Sequence, residues 1–313
     1  MTTDRDLIII GAGGAGLSAA QYGARGNLRT LVLEEVASGG QALVISELEN
    51  YPGFPEPING YDFTQKMEDQ ARKFGAEFEN ASVTGIQRED HVFRVTTDKG
   101  TLTAPTVILA TGAVHKTLGV PGEAEFSGHG VSYCATCDGP FFKAKRMLVV
   151  GGGDAACDEA MYLSHLASGV LLVHRRDKFR AQKSLAARVL ENPKIEVRFN
   201  TELRKIEGDK VVSRVTLYNN VAKEQSEEPV AAVFVFIGSE PKSTLAASLG
   251  VPLDDIGYIK TNDRMETSVP GLYAVGDVRS TPFRQLVVAA SEGAIAAHAA
   301  GQYIDELKGE KYL

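Results

Sequence analysis

Cysteine is scarce. The 313-residue chain carries three, at positions 134, 137 and 157. So few in so long a chain do not make a disulfide framework. With no second pair and no His-x₃₋₅-His run, a four-ligand zinc site would lack half its ligands. No apolar stretch approaches the roughly 18 residues needed to span a bilayer. The N-terminal Met-Thr-Thr-Asp-Arg-Asp has no basic n-region of a signal peptide and runs straight into a strand. Excess positive charge is also missing. The 33 Lys and Arg against 40 Asp and Glu leave a net −7, which offers nucleic acid no electrostatic attraction. Linkers, low-complexity segments and charged tails are absent as well. The expectation is a soluble cytoplasmic protein. Its 43% hydrophobic and 23% charged content is ordinary, and its length suits two domains with proper cores.

Two of the three cysteines stand together, in Gly-Val-Ser-Tyr-Cys-Ala-Thr-Cys-Asp-Gly-Pro-Phe-Phe over 130–142. Cys134 and Cys137, at i and i+3, fall on the same side of one helical turn, within reach of a disulfide. At a helix N-terminus the orphan N–H groups and the dipole stabilise a thiolate, so such a pair is redox-active near neutral pH. Asp138 follows at once, a carboxyl group placed to exchange a proton with sulfur. An inert structural pair or half a zinc site are the competing readings. Cys157 reads as a small buried hydrophobe, and Phe141 and Phe142 as core or as an apolar rim for a partner.

Leu7-Ile8-Ile9-Ile10 is the apolar run of a buried parallel strand, and it enters Gly11-Ala12-Gly13-Gly14-Ala15-Gly16. This is G-x-G-x-x-G between strand and helix. Gly11 permits the turn, Gly13 lets a pyrophosphate approach the backbone, and Gly16 lets helix and strand pack closely. The next strand, Thr30–Leu33, ends at Glu34, where an acid hydrogen-bonds an adenosine ribose. Beyond it lie two turn-rich segments, 39–41 and 49–53, helical periodicity over 61–80, and a β-meander around 93–95 and 101–103. A strand over 107–112 follows, ending in a small-residue turn.

A second fingerprint, Gly151-Gly152-Gly153-Asp154-Ala155-Ala156, follows the strand Arg146–Val150. Its partner strand, Val170–Val173, leads into His174-Arg175-Arg176, with Arg180 a turn later. Arginines accommodate a 2′-phosphate where an acid would hold a free hydroxyl. The second site is therefore expected to take NADPH, and the first an adenosine without that phosphate. Residues 195–237 alternate as β-hairpins, 239–270 reads as a return connection, and 271–277 as a strand ending in Gly-Asp. An Ala-rich helical pattern runs from Arg284 to Leu307.

These motifs together resemble the low-molecular-weight thioredoxin reductases of the two-domain pyridine nucleotide–disulfide oxidoreductase family. The likeness runs end to end: Gly11 to Gly16, Gly39-Gly40-Gln41, Glu49-Asn50-Tyr51-Pro52-Gly53, Ala110-Thr111-Gly112, Cys134-Ala135-Thr136-Cys137-Asp138, Gly151 to Ala156, His174-Arg175-Arg176, Gly276-Asp277 and Arg284-Gln285. Gly14 departs from it, standing where the family usually has proline. There is no C-terminal cysteine pair, which sets the high-molecular-weight mechanism aside.

The resemblance implies an α/β fold of two Rossmann-like dinucleotide-binding domains, each a three-layer ββα arrangement. The NADPH domain (117–242) would be inserted into a discontinuous FAD domain (1–116 and 243–313). It implies FAD at the first site: Gly11, Gly13, Gly14, Ala15 and Gly16 at the turn, Glu34 on the ribose, and Gly40, Gln41, Asn50, Ala110, Thr111 and Gly112 around the flavin. Gly276 and Asp277 would face the ribityl chain and Arg284 and Gln285 the flavin end. NADPH would lie on Gly151, Gly153, Asp154, Ala155, Ala156, His174, Arg175, Arg176 and Arg180. Cys137 would face the flavin, Cys134 would attack the partner, and Asp138 would donate the proton. Thioredoxin is the implied substrate and a homodimer the implied assembly, with hinges near 115–119 and 238–244. Delivery to another thioredoxin-fold or peroxidase partner, or a non-catalytic redox-switch flavoprotein, are the alternatives.

Overall fold

A computed structural model describes residues 3–45, 48 and 50–309. Glu49 of the expected flavin-region segment lies outside the described residues. The chain divides into two compact units, one of residues up to Val114 with those from Glu240 onward, the other His115–Ser239.

The first unit begins with strand β1 (Leu7–Ile10), helix α1 (Gly14–Arg25) and strand β2 (Thr30–Glu34). Helix α2 (Gly60–Lys73) is capped by Asn59, whose side chain accepts the Tyr61 N–H. The helical periodicity expected over 61–80 stops at Lys73, and 77–80 is instead strand β3 (Glu77–Asn80), parallel to β2. Gly75, at φ +100°, turns the chain in a conformation that a helix does not continue. Strands β4 (Val83–Glu89), β5 (Val92–Thr97) and β6 (Gly100–Ala104) form the expected antiparallel meander. Strand β7 (Thr106–Leu109) then pairs parallel with β1, and β8 (Ala113–His115) leaves the unit.

In the second unit, β9 (Val131–Ser132) precedes the one-turn helix α3 (Ala135–Asp138). Strand β10 (Arg146–Gly151), helix α4 (Asp154–Leu166), strand β11 (Gly169–Val173), helix α5 (Lys183–Glu191) and strand β12 (Ile195–Arg198) repeat the βαβ pattern. Strands β13 (Thr201–Gly208), β14 (Val212–Asn219) and β15 (Glu224–Pro229) form a second meander, and β16 (Ala232–Phe236) returns to the sheet. The hairpin reading of 195–237 thus holds only for its middle. Both ends pair parallel, β12 with β11 and β16 with β10, which alternation alone cannot distinguish from antiparallel pairing. Strand β17 (Ser239–Pro241) pairs with β8, so the two crossings between units form a short ribbon. The chain ends with α6 (Thr244–Ser248), β18 (Leu272–Ala274) and α7 (Leu286–Lys308).

The strand orders are β18-β7-β1-β2-β3 in the first unit and β12-β11-β10-β16-β9 in the second. Side-chain alternation makes each a three-layer structure. Leu7, Ile9, Val32 and Ile108 pack with the alanines of α1 and α7, whereas Ile8, Ile10, Leu33 and Leu109 pack with Ile86, Phe93 and Val95 of the meander. In the second unit Met147, Val149 and Leu172 face α4 and α5, while Leu148, Val150 and Leu171 face Leu203, Val215 and Leu217. Each side chain so buried contributes roughly 1.5–3 kcal/mol. Two Rossmann-like domains result, each with its glycine turn where β1 or β10 ends.

Candidate functional site

The cysteine pair is a disulfide, with Cα atoms 5.3 Å apart. Cys134 is the N-cap of α3, and its sulfur accepts the Cys137 N–H at 3.2 Å. The Ser132 hydroxyl accepts the Cys134 N–H at 3.1 Å, so the sheet strand β9 holds the first cysteine from behind. Ala135 is fully buried against the α4 cluster, and Gly139 has no room for a Cβ beside Leu163, so the turn is seated from below. Asp138 is half-buried, and that burial raises its carboxyl above the usual range, with a hydrogen bond from Ser132 opposing. A carboxyl so placed keeps its proton further up in pH than a surface aspartate does. Phe142 packs on the core and edge-on to Phe234, while Phe141 is exposed. Cys157 is fully buried, and burial pushes its thiol up to about 11, which suits a packing role.

At the first glycine turn, Gly11 has φ +103°, and a Cβ there would overlap the Ala110 carbonyl. A Cβ on Gly16 would overlap the Gly11 carbonyl, so helix and strand close directly on each other. Gly13 is the N-cap of α1 with no side-chain cap, and its missing Cβ faces open space. Uncapped N–H groups over a Cβ-free backbone are the arrangement a pyrophosphate needs. A Cβ at Gly14 would overlap the Leu286 side chain, so glycine rather than proline makes room for the first residue of α7. Glu34 accepts the Ala12 N–H at 2.7 Å and the Val36 N–H at 3.2 Å, bracing the turn with the carboxylate expected on the ribose.

The other expected residues of this unit converge on that turn. Gly40 approaches Gly13, and Gln41 donates to the Ala113 carbonyl at 2.7 Å. Asn50 donates to Gln285 at 3.0 Å, joining positions 235 apart in sequence. Thr111 donates to the Lys242 carbonyl at 2.7 Å, beside Ala110 and the positive-φ Gly112. Gly276 (φ +69°) lies against Ala15, and burial raises the neighbouring Asp277 carboxyl, opposed by the charge of Arg284. The Arg284 guanidinium stands 4.0 Å over the Tyr258 ring.

Sequence reasoning missed what holds this corner. Glu292, buried on α7, accepts the Gly276 N–H at 2.7 Å and forms an ion pair with Arg279. An acid in the middle of an Ala-rich helical run was the available signal.

The second turn repeats the first. Gly153 is the uncapped N-cap of α4 with open space at its Cβ position, and Ala156 packs against Gly151. Asp154 accepts the Gln182 N–H and Gly152 accepts the Arg180 N–H, both at 2.7 Å, tying the arginine segment to the turn beside Ala155. The His174 ring fills the space where Gly152 lacks a side chain, and its Nε2 is buried without a hydrogen-bond partner. Burial, then the charges of Arg180, Arg176 and Arg175, lower its pKa. Those three arginines are exposed, and none has a carboxylate partner among the described residues. An unneutralised triad beside an uncapped helix end has the charge and donors for a phosphorylated ribose.

The family model for pyridine nucleotide-disulphide oxidoreductase matches residues 5–293. The chain belongs to this family. This oxidoreductase is 54% identical over 308 residues to a thioredoxin reductase of Treponema pallidum (strain Nichols), covering 98% of the chain and all of that protein. It is 46% identical to the thioredoxin reductase of Bacillus subtilis (strain 168), over 97% of the chain and 96% of the relative. Among solved structures, a thioredoxin reductase from Streptococcus pyogenes MGAS5005 matches with a TM-score of 0.92 at 40% identity, covering 96% of this chain and 98% of that one.

Proposed function

We propose that this oxidoreductase is an NADPH-dependent flavoprotein that reduces thioredoxin through the Cys134–Cys137 pair. The observation that carries the reading is the disulfide at the N-cap of α3, in the same unit as the uncapped second turn and its arginines. Both turns fit dinucleotides, the first with an acid at its strand end and the second with cations. FAD is assigned to the first and NADPH to the second, and the bound cofactors supply a two-electron path from the nicotinamide to the disulfide.

The chain's own residues do the rest. Arg175, Arg176 and Arg180 hold the 2′-phosphate, and Glu34 takes the adenosine ribose while bracing the turn. Gln41 and Asn50 border the flavin, Asp277 the ribityl chain, and Arg284 and Gln285 the flavin end. Asp138 holds a proton for the Cys137 sulfur. Cys134, stabilised as thiolate by the Cys137 N–H, attacks the thioredoxin disulfide and expels one partner thiolate. Cys137 then attacks the mixed disulfide, releasing the second partner thiol and re-forming the internal disulfide, so one disulfide is exchanged for another. Thioredoxin, poised at about −270 mV, is a thermodynamically reasonable acceptor. The reading includes a homodimer in the cytoplasm, without membrane or nucleic-acid partners. No helix among the described residues is long and apolar enough to cross a membrane.

The test is the absorption spectrum of the purified protein, followed by NADPH oxidation with and without oxidised thioredoxin. A flavin spectrum with thioredoxin-dependent turnover supports the reading. NADPH oxidation indifferent to thioredoxin rejects it. Light scattering at micromolar concentration tests the dimer.

A further inference from the structure

The residue ahead of Cys134 is tied into a cluster that the redox chemistry above does not use. Glu123 is 3% exposed, and no cation pairs with it among the described residues. Its two carboxyl oxygens accept three neutral donors: the Leu118 N–H at 2.9 Å, the Gly119 N–H at 2.7 Å and the Tyr133 hydroxyl at 3.0 Å. The Tyr133 ring in turn stacks on His115, with centroids 5.3 Å apart and planes 10° from parallel. His115 Nδ1 lies 3.2 Å from the Ser239 hydroxyl. His115, Leu118 and Gly119 sit where the chain enters this unit, and Ser239 where it leaves. Tyr133 therefore joins both crossings, and the next residue along the chain is Cys134.

The geometry points to Tyr133 as a positioning residue for Cys134, its hydroxyl anchored on Glu123 and its ring on His115. Burial and the Glu123 carboxyl raise the phenol pKa, so it remains a donor throughout the neutral range. The backbone ahead of Cys134 is then held on two sides, by the Ser132 hydroxyl on its own N–H and by the Tyr133 brace. Buried polar groups so satisfied gain rigidity, and a lost donor leaves a buried acceptor short of a partner. A braced Cys134 keeps the two thiols of the reduced pair close together. That raises their effective concentration and favours the disulfide.

This inference rests on the reading of Cys134 and Cys137 as a reversible couple, and it deepens that reading. The experiment is a redox titration of the intact protein against dithiothreitol. Each protein disulfide accepts two electrons and two protons to become two thiols, as one dithiothreitol closes to its cyclic disulfide. The wild-type protein is measured first; without a reversible couple, the reading of the pair itself fails.

Given a couple, Tyr133→Phe removes the anchor and keeps the stack, Tyr133→Leu removes both, and Glu123→Gln changes the anchor from its other end. The pair should become about 3-fold easier to reduce in Tyr133→Phe and in Glu123→Gln, and about 10-fold in Tyr133→Leu. A tenfold shift is close to 30 mV. In the double variant Tyr133→Phe with Glu123→Gln the two shifts should not add, since both act through the Tyr133–Glu123 contact. Thermal unfolding of each variant is followed in parallel. A melting temperature that falls while the couple stays within 1.5-fold of wild type makes Tyr133 a packing residue and overturns the proposal. A shift towards the disulfide overturns it too. Should Tyr133→Leu fail to fold, the Phe and Gln variants alone decide.

Discussion

The two glycine turns share a backbone and differ in what stands at the end of the neighbouring strand. Both put a Cβ-free N-cap at the start of an uncapped helix, with a close-packed glycine or alanine three residues on. In the first unit, Glu34 is itself bound by two backbone N–H groups, so its acid is part of the scaffold. In the second, the scaffold is a neutral buried ring, His174, and the charges are three exposed arginines. On the reading proposed above, ligand type is decided by side chains over a repeated backbone. The acid cannot be exchanged without loosening its turn, whereas the arginines can be removed without disturbing theirs.

The largest effect should come from disconnecting both turns from the redox pair. Cys134→Ser and Cys137→Ser should each reduce thioredoxin turnover to background, yet retain NADPH-dependent bleaching of the flavin in stopped flow. Cys137→Ser should trap the partner as a mixed disulfide visible on a non-reducing gel. Turnover surviving in either variant would separate the cysteines from the chemistry. Next, Arg175→Ala with Arg176→Ala should weaken NADPH by about 2–4 kcal/mol, since each charge-assisted bond to phosphate is worth roughly 1.5–3 and the two are not additive. NADH use should hardly change, and equal losses for both coenzymes would erase the contrast between the turns.

Glu34→Ala should lower the stability of the first unit by about 1–2 kcal/mol, because the partly buried Ala12 N–H loses its acceptor while the exposed Val36 N–H can turn to water. Urea unfolding of the apoprotein should detect this, whereas the arginine variant should unfold like wild type. The smallest effect is the pH dependence attached to His174. Its folded pKa lies below the ordinary 6.5, so the unfolded chain binds more protons in the interval between them. The contribution of the neutral ring is fully present above 6.5 and is lost as pH falls through the lower folded value. His174→Asn should therefore flatten the stability profile of the second unit below pH 6.5, by less than about 1 kcal/mol. An unchanged slope would show that the ring is not the titrating group.

The glycine turns and the cysteine pair were legible because their chemistry is local. Gly11, Gly13 and Gly16 act over six positions, and the disulfide closes over four. The layering came from the family resemblance, since Leu7–Ile10 is apolar throughout and the split of its odd and even residues between two layers appears only in the structure. Long-range partners were not. Glu292 beneath Gly276, Glu123 beneath Tyr133 and Leu286 beside Gly14 are each separated from their partners by ten residues or more. No periodicity marks such a pair, because the rest of its helix or turn is ordinary. Strand β3 and the parallel ends of 195–237 were misjudged because a strand of four or five residues carries too few positions to reveal its type or its direction.

Helix α7 has a consequence for how this protein is made. Its Gly293 lies directly on the Ala15 carbonyl, and its Ala290 carbonyl accepts the Ser18 hydroxyl at 2.6 Å, so one face of α1 is covered by a helix near the end of the chain. On the ribosome, the continuous unit of 115–239 emerges whole, while the amino-terminal half-domain before it still lacks its last strand and helix. About seventy further residues separate the two events, roughly 4–15 s at 5–20 residues per second. The inserted unit can therefore be folded before its host. During that interval the face of α1 that packs on α7 is left for chaperones to shield.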